Sequence, residues 1–297
     1  MTIITLRRKK CGLSNCVIRY LMSMAVADLL VIILDLILRH IPIVYHDKFQ
    51  FLKSIHVCNI HAVLVYAATD CSVWFTVTFT FDRFVAICCP KLKSKYCSEK
   101  TATVILGTVT VLSCLKNITW YFSLSSRYEL WNDPWFCDEP LDILNSLAWL
   151  TVELLHNILT PCVPFLLILM FNVFTVRHIL TTSRARRRLR AQSIGYKSHD
   201  PEMDNRRNSI ILLFVISANF ILLWSVLMVY SMWNRLWWFG FRSINLDLYV
   251  QEIGFMLQLL SCCTNTAIYA VSQTKFREQL KYLLKYPFIK IIQLIPR

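Results

Sequence analysis

The feature that most constrains this 297-residue chain is a series of long apolar stretches separated by short charged segments. About 20 apolar residues in a helix cross a hydrocarbon core of roughly 30 Å. Six stretches of at least this length occur, at 16–39, 57–88, 103–124, 147–178, 209–233 and 246–272. Backbone polar groups in lipid must be hydrogen-bonded within their own segment, so each stretch is predicted to be a helix. The predicted fold class is an all-α membrane protein with six spans, called here the first to the sixth span.

The charge distribution predicts the orientation of these spans. The chain is 56% hydrophobic and 17% charged, with a formal net charge of +14. The segment before the first span, those after the second and fourth, and the tail together hold 23 Lys and Arg, whereas the alternate segments hold seven. By the positive-inside rule, both termini are predicted to lie in the cytoplasm. The basic charge then reflects topology and attraction to the anionic inner leaflet, so no nucleic-acid partner is expected.

Catalytic and metal-binding patterns are not found in the sequence. With five glycines, the chain has no Gly-rich phosphate loop, and neither an HExxH motif nor a zinc-spaced Cys/His cluster occurs. An enzyme is therefore not predicted, and no metal centre. Of the twelve cysteines, only Cys58 and Cys137 fall on the predicted extracytoplasmic side, where disulfides persist. One disulfide between these two residues is predicted.

Several ionisable and amide side chains lie inside the spans. Asp28 is in the first span, Asp70 and the sequence Asp82-Arg83-Phe84 are in the second, and Asn265 is in the sixth. Such groups are expensive in a bilayer and usually have a function. The alternative is a structural polar group that holds neighbouring helices together.

The order of these motifs resembles that of the rhodopsin-like (class A) G-protein-coupled receptors. The resemblance rests on the run LMSMAVADLL, Cys58 before Asp82-Arg83-Phe84, Cys137, Asn265-x-x-x-Tyr269 and the following Lys275-Phe276-Arg277. It implies a rhodopsin-like bundle in which the six spans are helices two to seven, followed by a short amphipathic helix eight. Two stretches, SVWFTVTFTFDRFVAI and NTAIYAVSQTKFREQLKYLLKYP, are similar to the orphan G-protein-coupled receptor 139 group in the neuropeptide-receptor-like branch.

The resemblance also implies a division of the chain. Residues 1–15 are expected to be a cytoplasmic remnant of helix one and the first loop. Residues 16–273 form the transmembrane receptor domain with a basic cytoplasmic loop at 181–208, and 274–297 form helix eight and the cytoplasmic tail. The start of the chain is interpreted as the last turn or two of helix one, so the first transmembrane helix is expected to be missing, with an incomplete gene model as the preferred explanation.

Three groups of site residues follow from the resemblance. The G-protein coupling residues are Asp82, Arg83, Phe84 and Tyr269. The activation-switch residues are Trp224, Phe220, Pro164, Val73 and Asn265. The residues of an allosteric sodium site are Asp28, Ser72, Ser261 and Asn265, and no other cofactor is expected. The chain departs from the family pattern at Thr266 and Val226, where proline is usual, and at Asn172, where tyrosine is usual.

The ligand side is predicted from helix faces and from the resemblance together. Val65 stands where amine receptors place an aspartate, so a biogenic amine is not expected. The pocket candidates are Tyr66, Asp70, Glu153, His156, Asn157, Leu227, Tyr230, Gln251, Phe255 and Gln258. Asp70 could instead be a hydrogen-bonded or protonated group that faces helix four or five, and Glu153 could be a solvated carboxylate at the interface. The acidic loop 127–142 favours a cationic or peptide ligand, or is merely a solvated loop.

The predicted function is that of a plasma-membrane receptor with a cytoplasmic C-terminus. It would transmit binding of an extracellular neuropeptide or small molecule to heterotrimeric G proteins by movement of helix six, the fifth span. One alternative is a truncated, non-signalling receptor product. A six-span transporter or channel would show inverted repeats, broken helices or a pore-lining charge series, and the sequence shows none.

One candidate modification site lies on the cytoplasmic side. Arg206-Arg207-Asn208-Ser209 resembles a site for basophilic kinases at the start of the fifth span. A phosphate on Ser209 would add negative charge at a helix N-terminus and is predicted to damp coupling. Alternatively, Ser209 only caps the helix or is buried at the membrane surface.

Overall fold

The computed structural model describes residues 2–8, 12–45, 48, 55–123, 147–191, 201–238 and 248–294. Helices account for nearly all of these residues, and no strand occurs among them. The six membrane-length apolar helices are Asn15–His40, Asn59–Cys88, Glu99–Tyr121, Thr151–Arg184, Ile210–Asn234 and Tyr249–Ser272. The prediction of six spans is therefore confirmed. The third span starts earlier than predicted, at Glu99, and the fourth ends later, at Arg184.

Each span is embedded in a longer or a composite helical segment. The helices before the fourth span are Thr2–Arg7, Asn15–Val31 continued by π-helical Ile32–His40, Ile41–Val44, Ile55–Cys88, Pro90–Tyr96, Glu99–Asn117 and Thr119–Ser123. The remaining helices are Leu147–Asn157 continued by π-helical Ile158–Cys162, Val163–Ala191, Pro201–Trp238, Leu248–Ser272 and Thr274–Leu294. The helix at Thr2–Arg7 is called the N-terminal helix below, and the helix at Thr274–Leu294 is called the terminal helix.

Local sequence explains where two spans begin and where one is interrupted. The hydroxyl of Ser14 accepts the Val17 backbone N–H at 3.4 Å, and that of Ser98 accepts the Thr101 N–H at 3.1 Å. Each serine thereby caps a helix whose first N–H groups have no intrahelical partner. Thr160 has a non-helical φ of −150° and ψ of 102°. Pro161 follows it, and the residue before a proline is disfavoured in the helical region.

The outward sides of the spans are apolar. Val104 is 68% exposed, Leu222 69% and Val271 79%. Many other large aliphatic side chains of the spans are also exposed. An apolar surface of this extent is stable in water only when it is covered, and lipid covers it in a multi-pass membrane protein.

Three apolar clusters of described residues hold the bundle together, and two of them position the polar site residues. The inner cluster includes Tyr20, Phe79, Tyr269 and Phe276, and it joins the first, second and sixth spans to the terminal helix. Leu6 of the N-terminal helix belongs to the same cluster. The middle cluster, formed by Val73, Val77, Ile168, Phe220, Trp224 and Leu227, joins the second, fourth and fifth spans.

Candidate functional site

At the inner end of the second span, Arg83 is held by its sequence neighbour. Its Nε donates to Oδ2 of Asp82 at 3.0 Å, and its Nη2 donates to the same oxygen. Both side chains are buried. The other carboxylate oxygen of Asp82 accepts the thiol of Cys16, from the first span, at 3.3 Å. The guanidinium is thus neutralised within the bundle by the carboxylate of its sequence neighbour.

A second cysteine contacts the backbone at this position. The Cys97 thiol donates to the Asp82 carbonyl oxygen at 3.6 Å. Burial, followed by repulsion from the Asp82 carboxylate, raises the pKa of Cys97 to about 11. The thiol is therefore protonated at neutral pH and able to donate. No sequence motif marks Cys16 or Cys97 as partners of Asp82, because only tertiary packing brings them there.

Phe84 and Tyr269 occupy two other sides of the same inner region. The ring of Phe84 lies 5.7 Å from that of Phe171 and 6.3 Å from that of Phe174, both in the fourth span. The ring of Tyr269 meets that of Phe276 edge-on, with centroids 6.0 Å apart. The Tyr269 hydroxyl is buried and has no hydrogen-bond partner in the described part of the chain. An unsatisfied buried hydroxyl is costly, so it favours any rearrangement that provides a partner.

Three of the five predicted switch residues, Val73, Phe220 and Trp224, pack together in the middle cluster, whereas Asn265 bonds to Asp28. The rings of Phe220 and Trp224 stack with centroids 5.4 Å apart, and Val73 packs in the same cluster. Pro164 is buried in the fourth span, four residues before Ile168 of that cluster. A displacement of the fifth span would therefore repack contacts with both the second and the fourth spans.

Asp28 is the centre of a buried polar cluster on the first, second and sixth spans. Its Oδ1 accepts the Ser72 hydroxyl at 2.6 Å, and its Oδ2 accepts Nδ2 of Asn265 at 2.7 Å. The structure thus joins three of the four residues of the predicted sodium site. Ser261, the fourth, accepts a hydrogen bond from Nδ2 of Asn219 in the fifth span at 3.3 Å.

Asn219 connects the fifth and sixth spans, a role that the sequence did not reveal. Its Oδ1 accepts the Thr264 hydroxyl at 2.9 Å, while its Nδ2 faces both the hydroxyl and the carbonyl oxygen of Ser261. Gly254 lies against the backbone of Leu227, and a Cβ at this glycine would come within 3.0 Å of the Leu227 Cα. The two spans are therefore in close contact in the middle and near the outer end.

Asp70 does not stand open to a ligand. Its Oδ1 accepts the Thr160 hydroxyl at 2.7 Å, and its Oδ2 accepts Nδ2 of Asn117 at 2.6 Å. The ammonium of Lys116 lies 2.6 Å from the same Oδ2. These four residues are called the polar layer below, and they connect the second, third and fourth spans. Asp70 was predicted as a pocket candidate, with a hydrogen-bonded role as the alternative, and its contacts here are those of the alternative.

An aromatic layer, formed by Tyr66, Trp120 and His156, lies directly outside the polar layer. The rings of Tyr66 and Trp120 stack with centroids 4.3 Å apart. His156 meets both rings edge-on, at 5.1 Å and 5.4 Å. Tyr66 is four positions before Asp70 in the second span, which places both on one helix face. Trp120, Lys116 and Thr160 were not predicted, because only the packing of the spans against one another brings them to Tyr66, Asp70 and His156.

The remaining pocket candidates lie on the fourth, fifth and sixth spans. Glu153, Leu227, Tyr230 and Gln258 are buried, and Asn157 and Gln251 are partly exposed. Phe255 lies beneath the guanidinium of Arg39, whose Cζ is 5.7 Å from the ring centroid. Arg39 also donates to the buried carboxylate of Asp35 at 3.2 Å, so a charged pair from the first span lies beside Phe255.

Three predicted site residues lie outside the described part of the structure. They are Cys137 and the side chains of Cys58 and Ser209. The disulfide and the phosphorylation site therefore stay predictions. In the ranges that the structure describes, no group of three His, Cys, Asp or Glu residues could hold a metal ion.

A comparison with known protein families shows which family the chain belongs to. Residues 1–269 match the family described as 7 transmembrane receptor (rhodopsin family). The match covers most of the chain, so the protein belongs to this family. Its members are receptors, and the apolar helices make the chain a multi-pass membrane protein.

Several named receptors are similar to parts of the chain. The mouse protein named Probable G-protein coupled receptor 142 is 27% identical over 229 residues, which are 75% of this chain and 53% of that protein. Human G-protein coupled receptor 39 is 27% identical over 130 residues, which are 43% of this chain and 28% of that receptor. The bovine form of receptor 39 matches to the same extent. The chain thus spans about half of the first relative's length and less of the others.

Proposed function

We propose that this chain is a G-protein-coupled receptor that transmits binding of an extracellular neuropeptide or small molecule to heterotrimeric G proteins. The observation that carries the proposal is the buried pair of Asp82 and Arg83 at the inner end of the second span. While this ion pair is intact, the guanidinium of Arg83 is bound to Asp82. A G protein could bind the guanidinium only after the ion pair breaks. Together with the family membership, this supports signalling over transport.

The mechanism is a shift between two populations of the bundle. In the resting arrangement, Arg83 is satisfied by Asp82, and Trp224 and Phe220 pack in the middle cluster. A ligand that binds better to an arrangement with the fifth span displaced would repack Trp224 and open the inner end. Arg83 would then be free to meet the G protein, and the Tyr269 hydroxyl would be free to find a partner.

The ligand side of the proposal rests on the two layers. The carboxylate of Asp70 is neutralised by Lys116. Because the aromatic layer lies outside the polar layer, a ligand that enters from the extracellular side would contact the aromatic rings before this carboxylate. Glu153 lies three positions outward from His156 on the fourth span and is buried. A cationic group of a peptide or small molecule, stacked on the aromatic layer, could place its charge near Glu153.

An allosteric sodium ion is part of the same proposal. Hard cations take oxygen ligands, and the Asp28 carboxylate and Ser72 hydroxyl already converge. Asp28, Ser72 and Asn265 would hold the ion, which would stabilise the resting state by its preference for it. The Ser261 hydroxyl faces Asn219 and is not needed for this set.

Subgroup, localisation and topology complete the proposal. The two quoted sequence stretches support a place near the G-protein-coupled receptor 139 group. The charge distribution supports a plasma-membrane receptor with both ends of this chain in the cytoplasm. Epitope tags placed at Met1 and Arg297 should both require permeabilisation for detection, and a Met1 tag that is accessible on intact cells would contradict this topology.

The signalling proposal can be tested without knowing the ligand. Membranes from cells that produce the chain are mixed with purified heterotrimeric G proteins of each class, and basal nucleotide exchange is measured. Asp82→Asn should raise exchange several-fold, because it weakens a charge-assisted hydrogen bond of about 1.5–3 kcal/mol in the resting state. Arg83→Gln should abolish nucleotide exchange on the G protein, both in the parent and in combination with Asp82→Asn.

The matched control is Glu99→Gln, the same carboxylate-to-amide change in the exposed ion pair with Arg19. It should leave exchange unchanged. If no class of G protein responds to Asp82→Asn although the protein reaches the cell surface, the coupling proposal fails. That result would favour the non-signalling receptor product.

A further inference from the structure

Two thiols hold Asp82 independently of Arg83. The guanidinium of Arg83 contacts only Oδ2 of the carboxylate, through Nε and Nη2. The other oxygen, Oδ1, accepts the thiol of Cys16, whose Sγ is 3.3 Å away. The backbone carbonyl of Asp82 accepts the thiol of Cys97, whose Sγ is 3.6 Å away. Because the guanidinium and the thiols use different oxygens, release of Arg83 does not by itself break either thiol contact.

Cys16 approaches the carboxylate from the start of a helix. It is the second residue of the helix Asn15–Val31, which Ser14 caps. The first N–H groups of a helix carry a partial positive charge, which favours an anion near this end. The Asp82 carboxylate contacts a side chain of this first turn and therefore lies near that end. The thiol and the helix end both favour the ionised carboxylate, with or without the guanidinium.

Burial makes this support matter most when Arg83 is absent. Cys16 and Asp82 are each 2% exposed, and Cys16 is packed in the inner cluster. A buried carboxylate that loses its counter-charge is costly unless other donors remain in contact with it. A hydrogen bond to a carboxylate is stronger when no cation shares its charge. The Cys16 thiol therefore stabilises the Asp82 carboxylate more after release of Arg83 than before it.

We propose that Cys16 is a positioning residue for activation, whose thiol stabilises the Asp82 carboxylate after Arg83 has left it. This inference rests on the proposed coupling function. An interaction that is stronger in one of two arrangements shifts the population towards that arrangement. The thiol thereby lowers the free energy needed to release the guanidinium. Cys16 acts through Asp82 and does not itself contact the G protein.

The test measures basal nucleotide exchange in the membrane assay described for Asp82→Asn, normalised to the amount of receptor. Cys16→Ala should lower exchange about threefold, the factor that corresponds to an average hydrogen bond between membrane helices. Cys16→Ser keeps a donor at this position and should retain the exchange of the parent. In the Asp82→Asn background, Cys16→Ala should have no effect, because no carboxylate charge remains to be stabilised. Equal effects of Cys16→Ala in both backgrounds, or an equal loss in Cys16→Ser, would show a packing role and overturn the proposal.

The matched control is Cys71→Ala, at another buried cysteine of the inner cluster. Its thiol bonds to Ser113 of the third span, so this change should leave exchange unchanged. A rise in exchange in Cys16→Ala would show that the thiol supports the intact ion pair, contrary to the proposal.

The same assay separates this inference from the coupling function on which it rests. If exchange responds to Asp82→Asn and not to Cys16→Ala, only the role of Cys16 fails. If exchange does not respond to Asp82→Asn, the coupling proposal fails and the role of Cys16 fails with it.

Discussion

Lys116 and Asp70 form an ion pair, with Nζ 2.6 Å from Oδ2, between the third and second spans. Asp70 is buried, whereas the side chain of Lys116 is 28% exposed. Thr160 and Asn117 donate to the same carboxylate, so its acceptor sites are filled from two other spans. An ionised pair within a membrane is stable only when its remaining hydrogen-bonding groups are satisfied in this way.

We expect Lys116→Met to destabilise the protein strongly, because it leaves the Asp70 carboxylate without a counter-charge. Breaking a buried pair from one side costs about 3–5 kcal/mol. The double variant with Asp70→Asn should recover most of the loss, since no unpaired charge remains. Thermal unfolding of the purified protein in detergent measures both changes.

The control is Arg19→Gln, which breaks the exposed pair with Glu99. Exposed ion pairs contribute about 0–1 kcal/mol, so this variant should melt close to the parent. A single Lys116→Met variant that melts like Arg19→Gln would mean that Asp70 is neutralised in some other way.

The spans could be predicted from the sequence because the length of an apolar run is local information. The structure starts the third span at Glu99 because Ser98 caps it, and a capping serine has little weight in a hydropathy window. The partners of Asp70 were missed for a different reason. The packing of the bundle decides which face of the third span contacts the second span. In the sequence alone, Lys116 has the character of a lysine at the membrane interface.

The Asp28 cluster shows the reverse case. The resemblance pointed to Ser72 and Asn265 together with Asp28, and the structure brings the three side chains into hydrogen-bond contact. The resemblance could not reveal that Ser261 accepts a hydrogen bond from Asn219, because Asn219 belongs to none of the family motifs.

The predicted disulfide between Cys58 and Cys137 should stabilise the outer end of the second span by about 2–4 kcal/mol. Cys58→Ala and Cys137→Ala should lower surface expression equally, and the double change should add little to either. Cys114→Ala, at an exposed cysteine of the third span, is the control and should have no effect. Strongly additive losses would show that the two cysteines are not partners.

Sodium should stabilise the purified protein relative to potassium at equal ionic strength. The reason is that Asp28 and Ser72 offer oxygen ligands in a buried site. Asp28→Asn should remove the difference in melting temperature between the two salts. Asp35→Asn, at another buried aspartate of the first span, should retain the difference even if it lowers both temperatures. Identical melting of the parent in the two salts would contradict the sodium site.

The amide of Asn219 should restrain the fifth span through its bonds to Thr264 and Ser261. Asn219→Ala removes both contacts, and hydrogen bonds between membrane helices contribute about 0.6 kcal/mol each on average. We therefore expect a small fall in melting temperature together with a rise in basal nucleotide exchange of several-fold. The rise in basal exchange is expected because the Asn219 hydrogen bonds form only in the arrangement seen here. Their loss therefore destabilises this arrangement relative to one with the fifth span displaced.

A double-mutant cycle separates this restraint from a general loss of packing. Thr264→Val removes the hydroxyl that Asn219 accepts, so the double variant with Asn219→Ala should be less destabilised than the sum of the single variants. Ser225→Ala serves as the control, since its hydroxyl donates to the Leu222 carbonyl of its own helix and to no other group in the described part of the chain. Additive effects of Asn219→Ala and Thr264→Val on melting and exchange would show that the two side chains do not act as a pair. Unchanged exchange in Asn219→Ala, in a protein that responds to Asp82→Asn, would show that the fifth span is restrained elsewhere.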